Sequence, residues 1–302
     1  MKNMRFPLLI ALGVAIIGLI FGSFFDFQLS SAIASPTNYV GLTISAICPT
    51  IGFAGVAVMG GGFVALAVKG KYHIGLKILF YVLAAACLGV SIYYPAGEYF
   101  GINGFYGAIP EWVGYFIVII PECLAMLGGY FLFKDCENKN MWIVFVVIVC
   151  LLLLSLLAII PIIKDNMHRP RYRLVSTSDV TFHNWWEPCK NYKELIESTG
   201  TNKDNFKSFP SGHTAETSIL LVCSVLFPLG SKKLQKIQLP LFIASGALVL
   251  LVAFARILAA AHYLSDVSTG AITILLPLII ANEAIMRIKP LQYQEEIKEE
   301  KE

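Results

Sequence analysis

Charge is what this chain has least of. Only 14% of its 302 residues are Asp, Glu, Lys or Arg, where a soluble domain carries roughly 25%. That shortfall excludes an ordinary water-covered surface. The net charge of +3 is too small to mark a nucleic-acid partner. The seven cysteines, at positions 48, 87, 123, 136, 150, 189 and 223, form no CxxC pair and no metal-ligand spacing. Five of them (Cys48, Cys87, Cys123, Cys150 and Cys223) lie in apolar runs, where cysteine acts as a small hydrophobe. Neither a disulfide framework nor a zinc site is expected. Internal repeats and low-complexity stretches are missing too.

What is present is apolar: 57% of the residues are hydrophobic, and the mean hydropathy is +0.70. A helix rises 1.5 Å per residue, so about 20 apolar residues cross a hydrocarbon layer of about 30 Å. Eight segments meet that length, at 7–25, 42–68, 74–95, 113–133, 141–163, 212–229, 239–259 and 266–286. Helices are expected, because a lone strand in lipid leaves its backbone groups unpaired. The fold class is therefore all-α: a polytopic transmembrane bundle of about eight spanning helices. The basic start and long first run of MKNMRFPLLIALGVAIIGLIFGSFF read as an uncleaved anchor.

The loops give an orientation. With the N-terminus inside, the cytoplasmic connections hold Lys69 and Lys71, then Lys134 and Lys139, then Lys232 and Lys233, then the RIKP stretch before the charged tail. The opposite loops 26–41 and 96–112 contain no Lys or Arg. Every cytoplasmic connection thus meets the positive-inside rule. Tyr93, Tyr94, Trp112, Trp142, Trp185 and Trp186 fall near segment ends, as interfacial aromatics do. The long loop 164–211 breaks the pattern with basic residues on the outer side, as does the connection carrying His262 and Asp266. A bound anion explains both.

Three clusters reach that outer face. The first runs from Lys164 through His168, Arg169 and Pro170 to Arg171 and Tyr172. The second is Ser208-Phe209-Pro210-Ser211-Gly212-His213. The third runs from Arg256 through His262 to Asp266. Lys164, Arg171 and Arg256 supply positive charge, and an Arg fork matches phosphate oxygens bidentately. Ser211 and the backbone around Gly212 open a helix, where free N–H groups favour an anion. Together they form a phosphate cradle that needs no metal ion and no cofactor. His262 and Asp266 are four apart, which on a helix places them on one face within hydrogen-bond reach. A carboxylate on one ring nitrogen leaves the other free to attack phosphorus. His213 remains as the acid for the leaving oxygen.

These clusters resemble the signature of the type 2 phosphatidic acid phosphatase superfamily, the lipid phosphate phosphatases related to vanadium haloperoxidases. That signature reads Lys, six residues, Arg-Pro; then Pro-Ser-Gly-His; then Ser-Arg, five residues, His, three residues, Asp. Here Tyr172 stands for the first motif's proline and Ala255 for the third motif's serine. The resemblance covers roughly residues 141–286. It implies a phosphohistidine formed on His262 with Asp266 as partner, His213 as general acid, and Lys164, Arg171, Ser211, Gly212 and Arg256 around the phosphate. It also implies a membrane lipid phosphate as substrate: phosphatidic acid, phosphatidylglycerophosphate or a polyprenyl diphosphate. Membrane members commonly have six spanning helices, so eight would place two extra ones near the N-terminus. The expected organisation is an N-terminal group of helices (1–140), a phosphatase core (141–286) and a charged cytoplasmic tail (287–302), in a multi-pass plasma-membrane protein whose active site faces outward. Transfer of phosphate to a second lipid is the alternative within the enzyme class. An inactive lipid-binding or transport protein is the alternative outside it.

Other residues are read more plainly. Arg169 is taken as a neighbour of the site that faces lipid headgroups, with a second phosphate ligand as the alternative, and His168 and His183 as loop residues. Trp185 and Trp186 are taken as interfacial anchors. Glu122 near the middle of a span is expected to find a structural partner or to serve substrate access. Gly60–Gly62 are expected to let helices pack closely.

Overall fold

The computed structural model describes residues 3–100, 111–135, 141–230 and 236–299. Cys136, Lys139, Lys232 and Lys233 lie outside the described residues, as do the side chains of Trp112 and Trp142. The described chain is helical, with no strand among the described residues. In order the main helices are α1 (Arg5–Ile33), α2 (Tyr39–Lys69), α3 (Ile74–Phe100), α4 (Glu111–Phe133) and α5 (Met141–Leu154). A π-helical turn, Ser155–Ile159, joins α5 to α6 (Ile160–Met167). Short helices α7 (Tyr172–Val175) and α8 (Tyr192–Thr199) follow, then α9 (Gly212–Ser218), α10 (Leu221–Gly230), α11 (Gln238–Leu258) and α12 (Leu264–Glu299). α12 thus carries the chain's charged end as helix through Glu299.

Among the described residues, seven helices are long and apolar enough to cross a membrane. The eighth expected span, 212–229, is built of α9 and α10 with a tight turn between them. The Thr217 hydroxyl donates back to the His213 carbonyl (2.8 Å), and the Ser218 hydroxyl to that of Thr214 (2.7 Å). Such back-bonding bends helices. The backbone then tightens, with Ile219 N–H on Glu216 C=O and Leu220 N–H on Thr217 C=O.

Close crossings hold the N-terminal helices together. A Cβ placed on Gly61 would stand 2.0 Å from the Met126 carbonyl oxygen of α4, and one on Gly60 would stand 3.0 Å from Cys87 of α3. Small residues let membrane helices touch backbone to backbone, as expected for this glycine run. α2 is the most deeply enclosed of the seven spans, whereas α1 shows most of its surface to lipid. Even so, α1 lies antiparallel along α12. At one end the Met4 N–H donates to Asn282 Oδ1 (3.2 Å), and Arg5 meets Glu283 at 3.7 Å. At the other, Asp26 accepts from Ser265 N–H at 2.9 Å. Met4 and Asp26 are 22 residues apart, about 33 Å of helix, which is one membrane thickness.

The loop between α6 and α9 has its own small core of Leu174, Val180, Cys189 and Phe206, with Tyr192, Leu195 and Ile196 against it. Trp185 stacks on Phe209 (5.5 Å) and donates to the Ser23 hydroxyl of α1 (2.9 Å). It clasps the loop onto the bundle. Trp186 remains exposed.

Candidate active site

The third cluster's spacing follows from how a helix ends and the next begins. α11 finishes with Ala260 in the left-handed region (φ 54°). Ala261 N–H returns to the Arg256 carbonyl (3.1 Å) and Ala260 N–H to that of Ile257 (2.9 Å). These are the two bonds of a Schellman closure. His262 N–H also donates to the Arg256 carbonyl, at 3.2 Å. Five residues between Arg256 and His262 are what this reversal consumes. α12 then opens at Leu264, and Asp266 Oδ2 reaches back to accept from Tyr263 N–H (2.8 Å). That is the carboxylate half of a capping box.

The pairing of His262 with Asp266 differs from expectation. The two do not share a helical face, because His262 precedes the helix. Its Nδ1 lies 3.6 Å from Asp266 Oδ2, too far for a hydrogen bond. Instead Nδ1 donates to the Ser208 carbonyl at 2.6 Å. Asp266 acts one step back, by accepting from the Ser208 hydroxyl at 2.5 Å. His262 Nε2 is buried with no hydrogen-bond partner. With the proton committed to Nδ1, Nε2 carries the free lone pair. Burial holds the imidazole pKa well below its usual value of 6.5; Asp266 opposes this, and Arg256 and Arg171 reinforce it. Burial and the two arginines both favour the neutral ring.

The other predicted residues gather around it. Ser211 caps α9 and donates its own N–H to the Asp266 carbonyl (3.0 Å), tying the second cluster to the third. Gly212 follows at the first position of α9. A Cβ there would lie 3.7 Å from Lys164 Nζ and 3.4 Å from Glu216 Oε1. Lys164 is enclosed, with Arg171, Glu216, Asp204 and Arg256 near enough to act on its ammonium. Arg171 is buried, pairs with Asp204 through Nη2 (3.1 Å) and keeps Nε without a partner. Arg256 is buried on the last turn of α11. His213 is buried in the first turn of α9. All eight predicted residues thus occupy one end of the bundle, where the three clusters converge.

Sequence reasoning misplaced Arg169. It faces no lipid headgroup; its side chain is fully buried, over the rings of Tyr263 (4.3 Å) and Phe182 (5.3 Å). Nη1 meets Asp266 Oδ1 at 2.5 Å and the Ser265 hydroxyl at 2.8 Å. Nη2 meets Asp26 Oδ2 at 2.9 Å, and Nε donates to the His183 carbonyl at 2.8 Å. The cause is local: His168 caps α6 in the left-handed region (φ 45°) and stacks on Tyr192, turning the next residue inward. Ser208, Glu216 and Asp26 were missed as well. Asp26 had a signal, as the one charged residue between Arg5 and Lys69. Glu122 is wholly buried, and the polar side chain near enough to act on its carboxylate is that of Ser91 on α3.

The two substituted motif positions have plain surroundings. Tyr172 packs edge-on to Tyr263 (6.2 Å) and Phe27 (6.1 Å). Ala255 lies where Gly41 of α2 crosses α11; a Cβ on Gly41 would stand 2.8 Å from the Ala255 carbonyl oxygen.

In this polytopic helical bundle the unpartnered His262 Nε2 thus shares one end with the guanidinium groups of Arg171 and Arg256. Residues 145–282, a little under half of the chain, match the family model of the PAP2 superfamily, so that segment is similar to the type 2 phosphatidic acid phosphatase superfamily. Phosphatase chemistry is the general activity of that family. Comparison with curated proteins and with solved structures gave no match.

Removing the Ser208 hydroxyl tests the indirect link. Ser208→Ala keeps the carbonyl that holds Nδ1 but leaves Asp266 Oδ2 with the Tyr263 N–H as its remaining hydrogen-bond donor. A hydrogen bond to a charged group is worth about 1.5–3 kcal/mol, so kcat is expected to fall about 10-fold or more. Steady-state phosphate release, with little change in KM, is the check.

Proposed function

We propose that this protein is a metal-independent phosphatase acting on a lipid phosphomonoester or diphosphate at the outer face of the cell membrane, through a phosphohistidine on His262. The observation that carries the reading is His262 itself: Nδ1 committed to the Ser208 carbonyl, Nε2 buried and unpartnered, and Lys164, Arg171 and Arg256 around it. The reaction has two steps. Nε2 bonds to phosphorus as the phosphorus–oxygen bond to the lipid breaks, and His213 protonates the departing oxygen. Water, giving its proton back to His213, then displaces His262 and releases orthophosphate. The cations offset charge on the equatorial oxygens throughout.

Sidedness rests on charge. Lys69 and Lys134, at the ends of α2 and α4, lie across the bundle from the site, and basic residues mark the cytoplasmic side. The substrate enters sideways with its tail still in the bilayer, since the site lies at the ends of spanning helices. Phosphatidic acid, phosphatidylglycerophosphate and a polyprenyl diphosphate all fit that description.

The test is phosphate release from a panel of these lipids by purified protein in EDTA. Release from none of them, or activity lost on chelation, overturns the reading. The pH profile adds a second check. Protonated His262 cannot attack, and its pKa is depressed. The acid limb of kcat/KM assigned to it should therefore lie below pH about 6.5, the unperturbed histidine value. A limb above that value contradicts the neutral buried imidazole.

A further inference from the structure

The nucleophile is held in place by a chain of contacts that leaves the family-matched segment. Asp26 stands on α1, more than a hundred residues before residue 145. Its Oδ1 accepts from Ser265 N–H (2.9 Å) in the first turn of α12. Its Oδ2 takes the Ser265 hydroxyl and Arg169 Nη2, the latter at 2.9 Å. Arg169 Nη1 in turn holds Asp266 Oδ1 at 2.5 Å. Asp266 Oδ2 holds the Ser208 hydroxyl (2.5 Å), and the Ser208 carbonyl holds His262 Nδ1 (2.6 Å). Every side chain in this path is buried. α1 approaches closely enough for it because Gly22 leaves room: a Cβ there would stand 2.6 Å from Ser265 N.

We propose that Asp26 is a positioning residue of the active site, acting through Arg169 and Ser265 on the Asp266–Ser208–His262 arrangement, so that α1 is a working part of the enzyme. The inference rests on the phosphatase reading of His262. Asp26 touches none of the residues of the phosphate cradle. Its loss should therefore slow the chemical step while leaving phosphate binding in place. A carboxylate that merely glued α1 to α12 would affect stability alone.

The experiment uses full-length protein in detergent, far below its melting temperature. Asp26→Asn keeps the shape and one acceptor but loses the charge that faces Arg169. It is expected to lower kcat at least about 10-fold, as small misplacements of reacting groups do, with KM within about threefold. Asn282→Ala supplies the contrast: it loosens the same helix pair at the opposite end and should melt earlier with wild-type kcat. Histidine-labelled protein gives a reading independent of turnover, because the Nδ1–H tautomer of His262 has its own NMR signature. That signature should weaken in Asp26→Asn and persist in Asn282→Ala. Wild-type kcat in folded Asp26→Asn overturns the proposal. So does an unchanged tautomer signature, or an equal slowing in Asn282→Ala. Should Asp26→Asn fail to fold, Ser265→Ala removes the hydroxyl shared by Asp26 and Arg169 and faces the same criteria. If wild-type protein releases phosphate from no lipid, the phosphatase reading fails, and the NMR signature alone decides whether Asp26 positions His262.

Discussion

His262→Ala is expected to abolish phosphate release, by at least about 10⁴-fold, the scale on which removal of a covalent nucleophile acts. No neighbour can replace it. Among the described residues around the cradle, His213 comes from a different helix, and the remaining groups are cations, hydroxyls and carboxylates with no second imidazole among them. The protein should still fold, since the change removes one buried ring from an end of the bundle and leaves the spanning helices intact. Rapid-quench experiments on labelled substrate should trap an acid-labile, base-stable phosphoenzyme in the wild type and none in the variant. A variant that keeps even a tenth of wild-type turnover places the nucleophile elsewhere.

Arg169→Met is the second large effect, and it acts on the fold as well as on the reaction. The guanidinium lies between two carboxylates, Asp26 and Asp266, all three buried. Removing one partner of a buried ion pair leaves an uncompensated charge, at a cost of about 3–5 kcal/mol. Arg169→Met should therefore melt far below the wild type and show no activity. Combining it with Asp26→Asn removes one stranded carboxylate and should recover part of the lost stability, since contacting residues couple by about 0.5–3 kcal/mol. Activity should not return, because Asp266 still lacks its clamp. Melting temperatures of the two single variants and the double one complete the cycle. Strictly additive losses contradict the shared network.

How much of this was legible in the sequence differs from residue to residue. The spans were, because apolar length is a one-dimensional property; the exception, 212–229, bends where Thr217 and Ser218 bond to their own helix. The three clusters were legible because each is local, with spacings set by a helix end at Ala260, a capping turn at Tyr263–Asp266 and a cap at Ser211. Arg169 was not, because spacing places it beside the site without saying which way it turns, and a left-handed backbone at His168 decides that. Ser208 was invisible for a different reason: its carbonyl, a group every residue carries, is what holds His262. Asp26 could have been noticed as a lone acid in an apolar stretch, but its partners lie 143 and 239 positions away.

The antiparallel seam between α1 and α12 has a consequence for biogenesis. A ribosome delivers α1 first of these helices and α12 last, yet Asp26 finds its partner Ser265 only in the latter. Until α12 emerges, Arg169 alone can answer that acid. A nascent chain stalled before α12 therefore has the cations of the cradle and His262 itself in hand, but neither Ser265 nor Asp266, the groups that tie that ring to α1.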